Sequence, residues 1–175
     1  MRPEKEFFSR PADRVARDLL GKILVRRFGG KLLKAKIVET EAYFGESDPA
    51  SRAVQNGDLR KTMLMVPGTI LVYGVHDNWI LNFVTKEEGK AEAVLIRALE
   101  PLNFDLNTKG PGLLTKAMNI DKKFHKENAF DSEDLWLEGN NDVFEIGEDF
   151  RIGVRKDLPK KFRFYIKGNK HISRK

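Results

Sequence analysis

An α+β fold is predicted for this chain: a single compact domain over residues 1–175, built around a curved, largely antiparallel β-sheet with flanking short helices. Three observations predict it. Segments rich in β-branched and aromatic residues follow one another closely, separated by turn signals such as Gly29-Gly30 that close hairpins between antiparallel neighbours. Helical periodicity is confined to two short stretches. A length of 175 residues, 41% of them hydrophobic, suits one core that needs no covalent staples.

The elements follow in order. Ser9 is placed to cap a first helix with Pro11 in its first turn, Val15, Leu19 and Leu20 along one side, and Gly21 as its stop. Residues 22–28 read as a strand, Gly29-Gly30 as a tight turn, and residues 31–43 as the long partner strand. Residues 44–62, punctuated by Gly45, Pro49, Asn56 and Gly57, read as one long loop, a length that is usually functional. Pro67-Gly68 opens a strand at 69–75, whose partner at 79–85 returns across a tip at His76-Asp77-Asn78. The run Val94-Leu95-Ile96 marks an interior strand at 93–99. A short helix after Gly110-Pro111-Gly112 is expected to turn Leu113, Leu114 and Ala117 inward, and later strands are expected at 143–146, 151–155 and 162–166.

Composition narrows the function classes. No apolar run approaches the roughly 20 residues that span a bilayer, so no membrane role is expected. The chain has no cysteine, which excludes disulfides, thiolate chemistry and cysteine-held metals. Its three histidines, His76, His125 and His171, stand at no metal-ligand spacing, so neither metal nor cofactor is expected, and an intracellular location is. Net charge is +6, unevenly spread. Residues 127–149 hold nine acids and no Lys or Arg, whereas residues 151–175 hold ten bases and the single acid Asp157. A basic tail containing Arg151, Arg155, Lys156, Lys160, Lys161, Arg163 and Lys167 suits a polyanion, unless the acidic stretch folds onto it and cancels it.

The most informative segment is Ile37-Val38-Glu39-Thr40-Glu41-Ala42-Tyr43. Strand alternation puts Ile37, Glu39, Glu41 and Tyr43 on one face, so two carboxylates and an aromatic ring share it. A carboxylate in apolar surroundings needs partners or a catalytic task. Glu41 is therefore a candidate general base and Tyr43 a candidate stacking platform, against the bland alternative of two exposed acids on an edge strand. Arg97, inside the most apolar strand, requires a carboxylate or phosphate partner: a structural pair with Glu39 or Glu100, or a guanidinium aimed into a cleft beside Glu41. Tyr73 reads as a core aromatic or a second platform, and Asn82, between Leu81 and Phe83, as an amide that fixes a loop or reads a ligand edge. Phosphate-binding glycine loops and nucleophile elbows are absent from the sequence.

Taken together, these residues resemble the alkyladenine (3-methyladenine) DNA glycosylase family of the non-helix-hairpin-helix type. Its markers stand in order from about Phe8 to Ser173: Leu20-Gly21, the Ile37–Tyr43 block, Pro67-Gly68-Thr69, Tyr73, Asn82, Leu95-Ile96-Arg97-Ala98-Leu99-Glu100-Pro101, the run from Gly110 to Met118, and Arg151-Ile152-Gly153-Val154. The resemblance implies a monofunctional base-excision-repair enzyme, expected to be a monomer, that flips a damaged purine out of double-stranded DNA. Glu41 would activate a water, Arg97 and the Ile152 backbone would orient it, and Tyr43 and Tyr73 would sandwich the base. Asn82 would reject guanine. Arg151, Arg155, Lys156, Lys160 and Lys161 would hold the DNA backbone.

Two positions depart from the family pattern. Asp48-Pro49-Ala50-Ser51 is followed by Arg52 where the family usually has a pocket His; a fixed cation suits a neutral, acceptor-rich base such as hypoxanthine better than a cationic one. The segment between Tyr73 and Asn82 is one residue short, so the residue wedged into the base stack is Val75 or His76 in place of the usual Tyr. Two other readings stay open: a basic nucleic-acid-binding module that has lost the chemistry, and a domain whose acidic segment docks a basic protein.

Overall fold

In the computed structural model, residues 1–174 are described, and they form eight strands, four α-helices and two 3-10 turns. Helices α1 (Lys5–Phe8) and α2 (Ala12–Leu19) precede β1 (Ile23–Phe28) and β2 (Lys31–Tyr43). A 3-10 turn (Arg52–Val54) and α3 (Asp58–Met63) lead to β3 (Ile70–Val75), β4 (Asn78–Thr85) and β5 (Glu92–Pro101). Then come α4 (Pro111–Ala117), a 3-10 turn (Lys122–Phe124), β6 (Leu135–Glu138), β7 (Ile146–Asp149) and β8 (Arg163–Ile166). Every strand pairing among the described residues is antiparallel, in the order β3-β4-β5-β2-β1-β6 with β8 on β2 and β7 on β8. The α+β expectation is borne out.

Both hairpin turns work as their residues require. Gly29 and Gly30 have φ of 59° and 75°, and His76 and Asp77 have φ of 48° and 64°. Positive φ at both central residues makes the tight turn whose twist matches the paired strands. The second turn accepts two side chains in a region L-residues rarely enter, and α4 buttresses it. Thr115 Oγ1 donates to the Trp79 carbonyl at 2.7 Å, and a Cβ on Gly112 would meet the Asn78 side chain at 2.7 Å.

Strand β2 organises the rest. One of its edges takes β5 from Ala35 to Tyr43; the other takes β1 over its first half and β8 at Glu39–Glu41. The β2–β5 register shifts between Ile37 and Thr40, leaving Val38 and Arg97 as the unopposed residues of their strands. Such bulges re-aim side chains, and here Arg97 comes to lie beside Glu41. The main core lies on the side covered by α2, which buries Ala12, Val15, Ala16 and Leu19 and accepts the Thr40 hydroxyl at the Ala16 carbonyl, 2.9 Å away. A smaller cluster of Ala53, Met63, Leu71, Val84 and Ala93 occupies the other face of β3–β5. On that face Leu71, Asn82, Leu95, Glu41 and Arg163 oppose one another in a single row across β3, β4, β5, β2 and β8.

Several expectations are corrected. Pro11 is itself the cap residue of α2, and Ser9 instead closes α1, its hydroxyl bonding the Lys5 carbonyl. The 44–62 segment is not a plain loop but contains most of α3 and a 3-10 turn capped by the Ser51 side chain. In α4, Leu113 is exposed and Thr115 takes the inward place, because its hydroxyl is needed at Trp79. The strand expected at 143–146 is displaced to β7, and β6 was not foreseen. Residues 151–155 form no strand, since Gly153 sits at φ 77° and the Ile152 amide bonds a side chain instead of a neighbouring strand.

Candidate active site

A pocket of about 360 Å³ opens on the Asn82–Glu41 face. Its floor comes from Met63, Leu71, Asn82 and Ala93 on the sheet and α3; Tyr43 and Tyr73 stand at its sides, with Ser51 and Arg52 on one rim and Gly153 to Lys156 on the other. Tyr43 ends β2, and Tyr73 lies two residues along β3 from Leu71, so strand alternation alone brings both rings to this face. The Asn82 side chain is held by donating to the Leu71 carbonyl at 3.2 Å.

Glu41 lies behind Tyr43 and is fully buried. The Tyr43 hydroxyl donates to Oε1 at 2.8 Å, the Ile152 amide donates to Oε2 at 2.6 Å, and the Arg97 guanidinium stands 3.6 Å from Oε2. Burial pushes the Glu41 carboxyl above its ordinary value, against the opposing pull of Arg97, the Ile152 amide and the Tyr43 hydroxyl; Glu39 adds to the rise. Burial and the neighbouring Glu41 likewise raise the Tyr43 phenol, which stays a hydrogen-bond donor. A carboxylate so placed is a stronger base than one in water and is closed off from solvent. Arg97 also donates to the Ser173 hydroxyl at 3.3 Å, so the end of the chain helps hold it.

The two tyrosines each carry a resident cation. The Arg151 guanidinium lies 4.6 Å from the Tyr43 ring centroid, and that of Arg52 lies 4.9 Å from the Tyr73 ring centroid. Arg52 lines the pocket. Arg151 does not face DNA: its guanidinium is fully buried, with both terminal nitrogens on the Asp48 carboxylate at 2.7 and 2.8 Å, further bonds to Asp157, and one to the Ala42 carbonyl at 3.0 Å. The expectation that Arg151 touches the DNA backbone is therefore corrected, because no phosphate can reach it. Arg155, Lys156, Lys160 and Lys161 are exposed, and none is ion-paired among the described residues. In the acidic segment, Glu138 pairs with Lys34, Asp142 with Lys36 and Glu148 with Arg17, all outside the basic tail, while Asp149 pairs with Arg163 within it. His76 is exposed at the hairpin tip and Val75 half-buried at its base.

The chain matches the model of the methylpurine-DNA glycosylase family over residues 6–170. It belongs to that family. A relative from Aeropyrum pernix, described as "Putative 3-methyladenine DNA glycosylase", is 42% identical over 97% of this chain and 92% of its own length. Relatives of the same description from Clostridium beijerinckii and Clostridium tetani are 38% and 39% identical, over 98% and 100% of this chain. This methylpurine-DNA glycosylase family member thus stands among DNA-repair hydrolases of N-glycosyl bonds. Among the described residues, no group of three or more His, Asp or Glu is arranged to hold a metal, and no helix is long and apolar enough to cross a membrane. Sequence reading did not assign a site role to Asp48 or Ser173; their partners lie 103 and 76 residues away, and nothing in the local pattern shows which residue each would meet.

Proposed function

We propose that this chain is a monofunctional glycosylase that flips a damaged purine nucleotide from duplex DNA and hydrolyses its N-glycosidic bond with a water activated by Glu41. The observation that carries this reading is the buried Glu41 carboxylate, gripped by Tyr43, the Ile152 amide and Arg97 directly behind a pocket flanked by two tyrosines. Entry of the nucleotide moves the Tyr43 hydroxyl off Oε1 and admits the water there. As the water oxygen bonds the anomeric carbon, its proton passes to Glu41 and the bond to the purine nitrogen breaks, the electron pair leaving with the base. Arg97 balances the carboxylate before the proton arrives. Stacking on Tyr43 and Tyr73 offsets part of the few kcal/mol that flipping costs, Asn82 excludes the exocyclic amine of guanine, and Val75 or His76 at the hairpin tip fills the vacated stack. Arg155, Lys156, Lys160 and Lys161 supply phosphate contacts for a monomer on double-stranded DNA.

Hypoxanthine is the favoured base. Arg52, Arg155 and Lys156 line the pocket and no carboxylate does, so a cationic alkylated purine meets like charge while the acceptors of a neutral one meet donors. Arg52 also lies 4.9 Å from the Tyr73 ring centroid, so its own charge already draws on that ring's cation–π attraction.

Single-turnover release from duplexes carrying hypoxanthine, 1,N6-ethenoadenine or alkylated purines tests both points. Release that disappears in Glu41→Gln, with DNA binding kept, supports the mechanism; Arg52→His should shift preference toward cationic bases, and an unchanged ratio removes the hypoxanthine assignment. One observation favours a second reading. Glu41 has no solvent contact, as a purely structural acid would not, so binding without release of any base identifies a DNA-binding module on the same fold.

A further inference from the structure

Arg151 and Asp48 form a buried ion pair with several further hydrogen bonds, and neither lines the pocket. Asp48 accepts the two-pronged Arg151 bond together with the amides of Phe44, at 2.9 Å, and Ala50, at 3.1 Å. Those contacts fix the turn that leaves β2 immediately after Tyr43. On the other side Arg151 is the residue before Ile152, whose amide meets Glu41, and its guanidinium covers the Tyr43 ring, whose hydroxyl meets the other oxygen of Glu41. Two of the three groups that hold Glu41 are thus placed by one side chain.

We propose that the Arg151–Asp48 pair is a positioning device for catalysis, holding the Ile152 amide and the Tyr43 ring on the Glu41 carboxylate. The inference rests on Glu41 acting as the base. A planar fork against a carboxylate fixes direction as well as distance, so the pair locks the segment 151–153 to the end of β2 at the angle the Ile152 amide requires. Loosening it leaves Arg97 on β5 as the principal partner of Glu41, with Glu39 on β2 opposing its charge and Arg163 on β8 committed to Glu39. The carboxylate then loses donors that favour its ionised form.

The test is single-turnover base release across pH, from the hypoxanthine duplex, by full-length wild type, Asp48→Asn and Arg151→Lys. Asp48→Asn keeps the shape and one acceptor; Arg151→Lys keeps the charge and loses the fork. The plateau rate is expected to fall roughly 10- to 100-fold, the scale of a hydrogen bond to a charged group, and the acid limb to move to higher pH by about one pH unit. DNA affinity should hold. Lower thermal stability with an unchanged rate and acid limb overturns the proposal in favour of a structural pair, as does loss of fold in both variants. Absence of release by the wild type from this duplex and from those carrying 1,N6-ethenoadenine or alkylated purines is a different failure: it removes the base role of Glu41, and the positioning role with it, before any variant is compared.

Discussion

Glu39 and Glu41 stand two residues apart on the same strand, both fully buried and each facing an arginine, yet they are held in opposite ways. Glu39 is saturated by firm donors: Arg163 at 3.0 Å on one oxygen and the Ser173 amide at 2.8 Å on the other. Its arginine is in turn anchored by the Phe150 carbonyl and Asp149. Glu41 has its arginine at 3.6 Å, and one of its two close donors is a hydroxyl that can turn and accept. A buried acid that is fully neutralised is architecture; a buried acid left short of full neutralisation stores basicity. The strand carries one of each, and the β-bulge at the Ile37–Thr40 register shift sets Arg97 at its looser distance.

The contrast is broken most directly at Glu41. Glu41→Gln should lower single-turnover base release by about 10²- to 10⁴-fold, the usual worth of a general base, measured on duplex with the folded fraction checked by circular dichroism. At neutral pH its thermal stability should equal or exceed that of the wild type. The raised carboxyl pKa means that burying the charged form costs stability above that pKa, and the Gln amide has a compliant partner in the Tyr43 hydroxyl. Equal activity of Glu41→Gln and wild type would erase the distinction between the two acids.

Glu39→Gln should do the reverse. Its amide must place an N–H against either the Ser173 amide or the Arg163 guanidinium, and breaking a buried pair from one side costs about 3–5 kcal/mol. Urea denaturation should show that loss, while release per folded molecule stays far closer to wild type than in Glu41→Gln. A stable Glu39→Gln protein with no activity would mean that the roles are exchanged.

The pH profile sharpens the comparison further. If Glu41 is the base as proposed, release needs it ionised; its folded-state pKa is raised, so activity should be complete above that pKa and fall as pH drops through it. The acid limb should therefore lie above the ordinary carboxylate value of 4.5. A limb at or below 4.5 would show that the partners of Glu41 fully offset its burial. The smallest effect is expected at the surface: replacing Lys160 and Lys161 by Ala should reduce the slope of log affinity against log salt by roughly 0.9 for each phosphate left without its lysine, with no change in either acid's behaviour.

How much of this was legible in the sequence depends on the range of the interaction that decides each feature. The bounds of β2 follow from the Gly29-Gly30 turn before it and Gly45 after it, and Tyr43, Tyr73 and Asn82 meet because strand alternation and hairpin register are local rules. Position 151 shows where those rules end. Arg151 reads as one more member of a basic tail, and only the folded chain brings Asp48 to it from 103 residues away. The same distance explains the missing strand at 151–155: the Ile152 amide goes to Glu41, so no strand ladder can claim it. Leu135-Trp136-Leu137-Glu138 escaped notice because four residues among acids carry too little periodicity, although β1 pairs with them throughout.

The three-way pairing of β2, to β1, β5 and β8, has a consequence for how the molecule breathes. Backbone amides on a strand clamped along both edges exchange with solvent only when the whole sheet comes apart, whereas the rim around Ser51–Gln55 and Gly153–Lys156 lies outside that ladder and can open on its own. In hydrogen exchange, Glu41 should belong to the slowest amides of the chain and the pocket's lips to the fast ones. On the proposed mechanism a nucleotide enters by parting the lips alone, while Glu41 stays within the paired sheet.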